Sequence, residues 1–68
     1  MDFKPGQEWL TRDGVNTFRI ISVGSDKVFC VCTNGKLIGI RFWIYANSGQ
    51  FWRNMQDNAD LTTLVKDV

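Results

Sequence analysis

Four turn-forming clusters, Asp13-Gly14, Gly24-Ser25, Asn34-Gly35 and Asn47-Ser48-Gly49, recur every 10 to 13 residues along this chain. That spacing admits short strands and leaves little room for long helices, so it predicts an all-β meander or small barrel. Asn34-Gly35 opens the longest apolar run, Lys36-Leu37-Ile38-Gly39-Ile40-Arg41-Phe42-Trp43-Ile44-Tyr45, which reads as a central strand. Asn-Gly suits a two-residue type I′ turn, because both central residues need positive φ.

A two-residue turn sets the register by counting outward. Around Asn34-Gly35 the count pairs Val31 with Ile38, Cys30 with Gly39, Phe29 with Ile40 and Val28 with Arg41. Around Asp13-Gly14, a second I′-type turn, it pairs Trp9 with Phe18 and sets Glu8 against Arg19, a favourable cross-strand charge pair. Around Gly24-Ser25 it pairs Ile20 with Phe29, Arg19 with Cys30 and Phe18 with Val31. One face then carries Trp9, Phe18, Ile20, Phe29, Val31, Ile38, Ile40 and Phe42, and this apolar surface is the expected core, centred on Phe29, Ile40 and Phe42. The opposite, mixed face carries Glu8, Leu10, Thr17, Arg19, Ile21, Val28, Cys30, Cys32, Leu37, Gly39, Arg41 and Trp43.

The ends are less constrained. Residues 1–6, with Pro5-Gly6, form a lead-in that is ordered only if Phe3 finds a pocket. A last short strand is expected over 50–53, in either of two registers. One places Trp52 beside Trp43; the other, with Gly49 left-handed, places Phe51 and Arg53 there. Leu61, Leu64, Val65 and Val68 follow helical spacing, with Asn58 as cap and Asp57 and Asp60 at the helix start, while a strand from Leu61 to Val65 is the competing reading. The expected fold is therefore all-β, or mainly β with a short C-terminal helix: a five-stranded antiparallel meander curled into a small barrel. Residues 1–68 form a single small β domain.

With 68 residues, 44% of them hydrophobic and 13% aromatic, the chain can build one small core and needs most of its large side chains for it. The formal net charge of +1 supplies no bulk attraction for nucleic acid or membrane. No apolar run approaches the ~20 residues of a membrane span, so a soluble, cytoplasmic protein without a membrane partner is expected. Cys30 and Cys32 alternate on one extended strand, where a relaxed disulfide between them is out of reach, and they read as small buried apolar residues. With no histidine and only these two thiols, the chain cannot complete a four-ligand zinc site of Cys and His by itself. Neither a phosphate-binding glycine loop nor a nucleophile beside a plausible base is present, so no catalytic residue, metal or cofactor is assigned and the chain reads as a non-enzyme.

What remains is binding. Arg19, Arg41, Trp43, Trp52 and Arg53 are the candidate binding residues, of the types enriched at protein interfaces. The leading expectation is a protein partner or a homodimer, engaged through the face bearing Arg19, Arg41 and Trp43. The alternative is a small-barrel nucleic-acid-binding protein that stacks bases on aromatics flanked by Arg.

Thr11-Arg12-Asp13-Gly14, Phe18-Arg19-Ile20-Ile21, Trp43 followed by Ser48-Gly49-Gln50-Phe51, and a closing Asp60-Leu61 resemble short accessory proteins of tailed bacteriophages and prophages. Those proteins read as a Thr-Arg-Asp-Gly turn, an Arg-Ile strand, a Trp before a Gly turn and a closing Asp-Leu. The Phe42-Trp43 pair and the aromatic Phe51-Trp52 depart from that pattern. The resemblance implies a mobile-element setting in a bacterial host cell, with a host or defence enzyme as a partner, and carries no activity or functional residue with it.

Overall fold

The computed structural model describes residues 2–68 and is all-β: β1 (Glu8–Thr11), β2 (Thr17–Val23), β3 (Lys27–Asn34), β4 (Arg41–Tyr45) and β5 (Leu61–Lys66). All neighbours are antiparallel, in the order β4-β3-β2-β1-β5. The first four strands form the expected meander, and the sheet curls into a half-barrel. Between its outer strands, the Gly49 carbonyl accepts from Leu61 N at 2.9 Å while Tyr45 N donates to the Gln50 carbonyl at 2.9 Å, which links the end of β4 to the start of β5.

Three strand assignments change. The fifth strand is the tail, not 50–53. Trp52 and Met55 share only an isolated bridge, and Leu61–Lys66 pairs with β1 as a strand, where Leu61 is buried against the core. Neither the helix nor its start at Asp57 and Asp60 forms, since a short segment gains more from an open sheet edge than from a marginal helix. The expected central strand is halved: residues 36–39 are turn, and β4 begins at Arg41.

The first hairpin keeps the expected register, with Glu8 opposite Arg19 and Trp9 opposite Phe18. Its turn differs in type, because Gly14 has φ 74° while Asp13 stays out of the left-handed region and accepts from Val15 N at 3.0 Å. The second hairpin turns one position later, at Ser25-Asp26, with Gly24 N donating to the Lys27 carbonyl at 2.9 Å. A bulge at Ile21 then sets Ile20 against Cys30 and Phe18 against Cys32. Because side chains alternate, that extra residue turns β3 over. Val28, Cys30 and Cys32 point inward, and Phe29 and Val31 point outward.

The core consists of Phe3, Trp9, Phe18, Ile20, Val28, Cys30, Cys32, Ile44 and Leu61, with Phe42 packed against it. Phe18 and Phe42 stack at 4.3 Å between ring centroids, and Phe51 continues the column at 5.0 Å from Phe42. The expected centre is thus corrected. Phe42 belongs to the core, Phe29 is half-buried on the other face, and Ile40 and Ile38 are 50% and 65% exposed. Phe3 does find a pocket, its ring 4.8 Å from Trp9, and the Gln7 side chain ties the lead-in to the tail. It accepts from Lys4 N and the Trp9 indole, and donates to Asp67 at 2.9 Å.

A candidate binding surface on the outer face

The outer face follows from strand alternation. Phe42 and Ile44 enter the core, so Arg41, Trp43 and Tyr45 face out. Cross-strand pairing places Lys66, Glu8, Arg19, Val31 and Arg41 in one row across all five strands. A second row runs Ser22, Phe29, Trp43, and a third pairs Lys27 with Tyr45. Arg19, Arg41 and Trp43 therefore share a face, as the sequence predicts, but with Phe29 and Val31 between them in place of Cys30 and Cys32.

Charge on this face is uneven. Glu8 sits between two cations, 3.6 Å from Arg19 and 3.9 Å from Lys66, so both cations at that end of the row share an ion-pair partner. Arg41 makes no ion pair among the described residues. Next to it Trp43 is 52% exposed, its ring tilted against Phe29 at 4.8 Å. Arg53 joins the face from the loop after β4, with its guanidinium 5.4 Å from the Tyr45 ring centroid, and Lys27 lies 5.2 Å from the same ring. A shallow cleft of about 310 Å³ opens there, lined mainly by polar groups including Asp26, Gln50 and Arg53.

Trp52 does not join this surface. Its ring packs edge-on against Phe51 at the end of the aromatic column, and its indole N–H donates to Asp57 at 3.3 Å. The two alternatives for the segment after Tyr45 resolve unequally: Gly49 is left-handed with φ 73°, and Arg53 comes to Tyr45, but Phe51 turns inward to Phe42.

Reading the residues in order missed Phe29, Val31, Lys27 and Tyr45 as members of the face. Tyr45 was within reach by extending the alternation of Arg41 and Trp43, and the others follow only once the bulge at Ile21 is known. Asp60 was misplaced as a helix-start residue. It is buried, 1% exposed, and accepts from Arg12 at 3.2 Å, Phe51 N at 2.9 Å and Asp57 N at 3.0 Å. This carboxylate ties the loop between β4 and β5 to the β1–β2 turn, a structural role.

Cys30, Cys32, Asp13 and Asp67 are likewise held within the fold. Burial pushes the Cys30 thiol up to about 12, and Cys32 beside it acts in the same direction. Both thiols are free and buried. The Thr11 hydroxyl and Val15 N hold the Asp13 carboxyl below its usual range, as Gln7 and Val68 N do for Asp67. Among the described residues no group of three or more His, Cys, Asp or Glu could hold a metal ion, and no helix is long and apolar enough to cross a membrane.

A scan of protein-family models and searches of curated proteins and of solved structures return no match to this chain.

Proposed function

We propose that this chain is a small, non-catalytic protein-interaction module that works through the outer face of β2, β3 and β4. The observation that carries the reading is Trp43, half-exposed beside Arg41, which has no ion-pair partner among the described residues, on a strand at the edge of the sheet. A Trp and an Arg side by side, ringed by less costly contacts, is the composition of an interface hot spot. The core does not need this indole, since Phe18, Phe42 and Phe51 already fill the barrel. The resemblance to phage and prophage accessory proteins supplies the setting, the cytoplasm of a bacterial host, and a partner class, a host or defence enzyme.

The test is an affinity capture from bacterial lysate, with and without nuclease, using the wild-type chain and an Arg41→Asp, Trp43→Ser double variant. A nuclease-resistant partner lost in the double variant, with unchanged melting, supports the module. Equal capture by both proteins refutes it.

A second reading, a nucleic-acid module, is favoured by one observation: Arg41, Lys27 and Arg53 surround Trp43 and Tyr45 on the same face. Such a surface binds single strands by stacking, with an affinity that falls steeply with salt, by a log–log slope of about 0.7 per phosphate contacted. A homodimer through the same face is distinguished by sedimentation at rising concentration.

A further inference from the structure

We infer that the free edge of β4 receives an extended, acidic segment of the partner protein as a sixth strand. This rests on the protein-interaction reading and specifies how the partner is held.

The β3–β4 ladder has a definite parity. Ala46 N donates to the Asp26 carbonyl at 2.9 Å, and Cys32 N donates to the Ile40 carbonyl at 2.8 Å. Hydrogen-bonded pairs therefore fall at the even positions of β4, and the N–H and C=O of Arg41, Trp43 and Tyr45 point away from β3. Tyr45 confirms the direction, because its N–H is taken by the Gln50 carbonyl at 2.9 Å on the outer side. Arg41 and Trp43 have no such loop partner among the described residues. Two consecutive outward-pointing residues thus present donors and acceptors in the spacing that an added strand uses.

The side chains along this edge select the chemistry of the added strand. Arg41 lacks an ion-pair partner among the described residues, whereas Glu8 is engaged by Arg19 and Lys66, Asp60 by Arg12, Asp57 by the Trp52 indole and Asp67 by Gln7, and the acid nearest the edge, Asp26, lies at its far end in the cleft with Tyr45 and Arg53. Lys27 and Arg53 extend the positive strip past Tyr45. Trp43, Ile40 and Ile38, each at least half-exposed, offer apolar contact beside it. Because Arg41 and Trp43 share one face and Ile40 falls on the other, an incoming strand that alternates carboxylates with β-branched side chains sets its acids along the Arg41 face and its apolar side chains beside Ile40. The opposite edge differs: β5 begins with Leu61 N donating to Gly49, and its Lys66 is paired with Glu8.

The experiment uses the full chain and a synthetic peptide of alternating Val and Glu, with an alternating Val-Lys peptide and a thymidine oligonucleotide as comparison probes. In the free protein, amide exchange at Arg41 and Trp43 is fast while Phe42 and Ile44 are protected. The acidic peptide slows exchange at Arg41 and Trp43, and the basic peptide does not. Arg41→Gln weakens peptide binding through the lost charge. Arg41→Pro, which removes an N–H that the β3 ladder does not use, weakens it about tenfold further.

Equal binding by the Gln and Pro variants overturns the edge inference, as does an acidic peptide that leaves both amides unprotected. If Trp43→Ser then still loses the lysate partner, the interaction module stands without strand addition. Protection that grows with protein concentration alone assigns the edge to a second copy. Oligonucleotide binding that quenches Trp43 and leaves the amides exchanging assigns the face to nucleic acid. Either result refutes the acidic strand.

Discussion

The first and third hairpins carry equally strong turn signals, yet Asp13-Gly14 delivers the register read from it and Asn34-Gly35 does not. The difference lies in which groups satisfy the turn. At Asp13-Gly14 the bonds that close the turn are its own: Gly14 N donates to the Thr11 carbonyl at 2.9 Å and Asp13 accepts from the Thr11 hydroxyl at 2.6 Å, while Arg12 N and Asp13 N donate outward to the Asp60 and Asn58 carbonyls without disturbing that closure. At Asn34-Gly35 the loop is held from outside. The buried Asn16 side chain accepts from Leu37 N at 3.0 Å, and Gly35 lies directly against Val15 and Asn16. A buried amide needs its partners, and meeting that need opens the loop to residue 40. Turn chemistry decides a hairpin when outside contacts leave its closing bonds in place, and yields when a buried polar group elsewhere claims the backbone those bonds need.

The largest test of this contrast concerns β3, which the bulge at Ile21 turns over. Phe18→Ala should cost about 3–5 kcal/mol, because its ring is fully buried and stacked on Phe42. Phe29→Ala should cost about half as much, and its loss should fall on the outer surface with Trp43. Chemical denaturation of both variants decides it, and a costlier Phe29 would restore the register counted from Gly24-Ser25.

Next in size is a pair of glycines. Gly35 has φ 113°, and a methyl group there would overlap the Val15 carbonyl oxygen and approach Asn16 Cα to 2.8 Å. Gly14 has φ 74° with open space around it. Gly35→Ala should therefore exceed the ~1–3 kcal/mol of backbone strain alone, while Gly14→Ala should cost only about 1–2 kcal/mol. Equal shifts in denaturation midpoint would mean that the β3–β4 loop does not pack on residues 15 and 16.

Asn16→Ala should then cost about 1–3 kcal/mol by leaving Leu37 N without its acceptor, and amide exchange at Leu37 should rise with it. An unchanged exchange rate there would remove the reason given for the wide loop.

The smallest effects are those of pH. The Cys30 pKa is raised above its ordinary 9.0 to about 12, so folding favours the thiol. Its contribution is complete below pH 9 and is lost as pH rises toward 12. The difference in stability between wild type and Cys30→Ala should narrow over that window, and native protein at neutral pH should react slowly with thiol reagents. Asp13 works at the other end. Its pKa is lowered from 3.8, so its stabilisation of the first turn is present above that value and disappears as pH falls below it. Asp13→Asn should flatten that acid limb.

The candidate surface was legible for an instructive reason. Reading β3 one residue out of phase placed Phe29 and Val31 in the core, and reading the third turn too short introduced a second parity error. The two cancel at β4. Arg41 and Trp43 therefore emerge on the expected face beside Arg19, although the residues between them were wrong. Trp52 was placed beside Trp43 by one of two registers for a strand over 50–53, and because that strand does not form, its ring packs on Phe51 instead.

By itself the sequence determined the class of fold, because turn residues at short intervals between alternating apolar runs leave a curled antiparallel sheet as the available solution. It also determined the register of the first hairpin, whose closing turn bonds and cross-strand charge pair both lie within the hairpin. Only the tertiary structure decided the phase of β3, the length of the third loop and the strand identity of the tail. Each of these depends on a partner distant in sequence: the bulge at Ile21 in the pairing of β2 with β3, the demand of buried Asn16, and the open edge of β1 that Leu61–Lys66 fills. A period of two makes strand faces readable from sequence, and the same period lets one unforeseen residue exchange them.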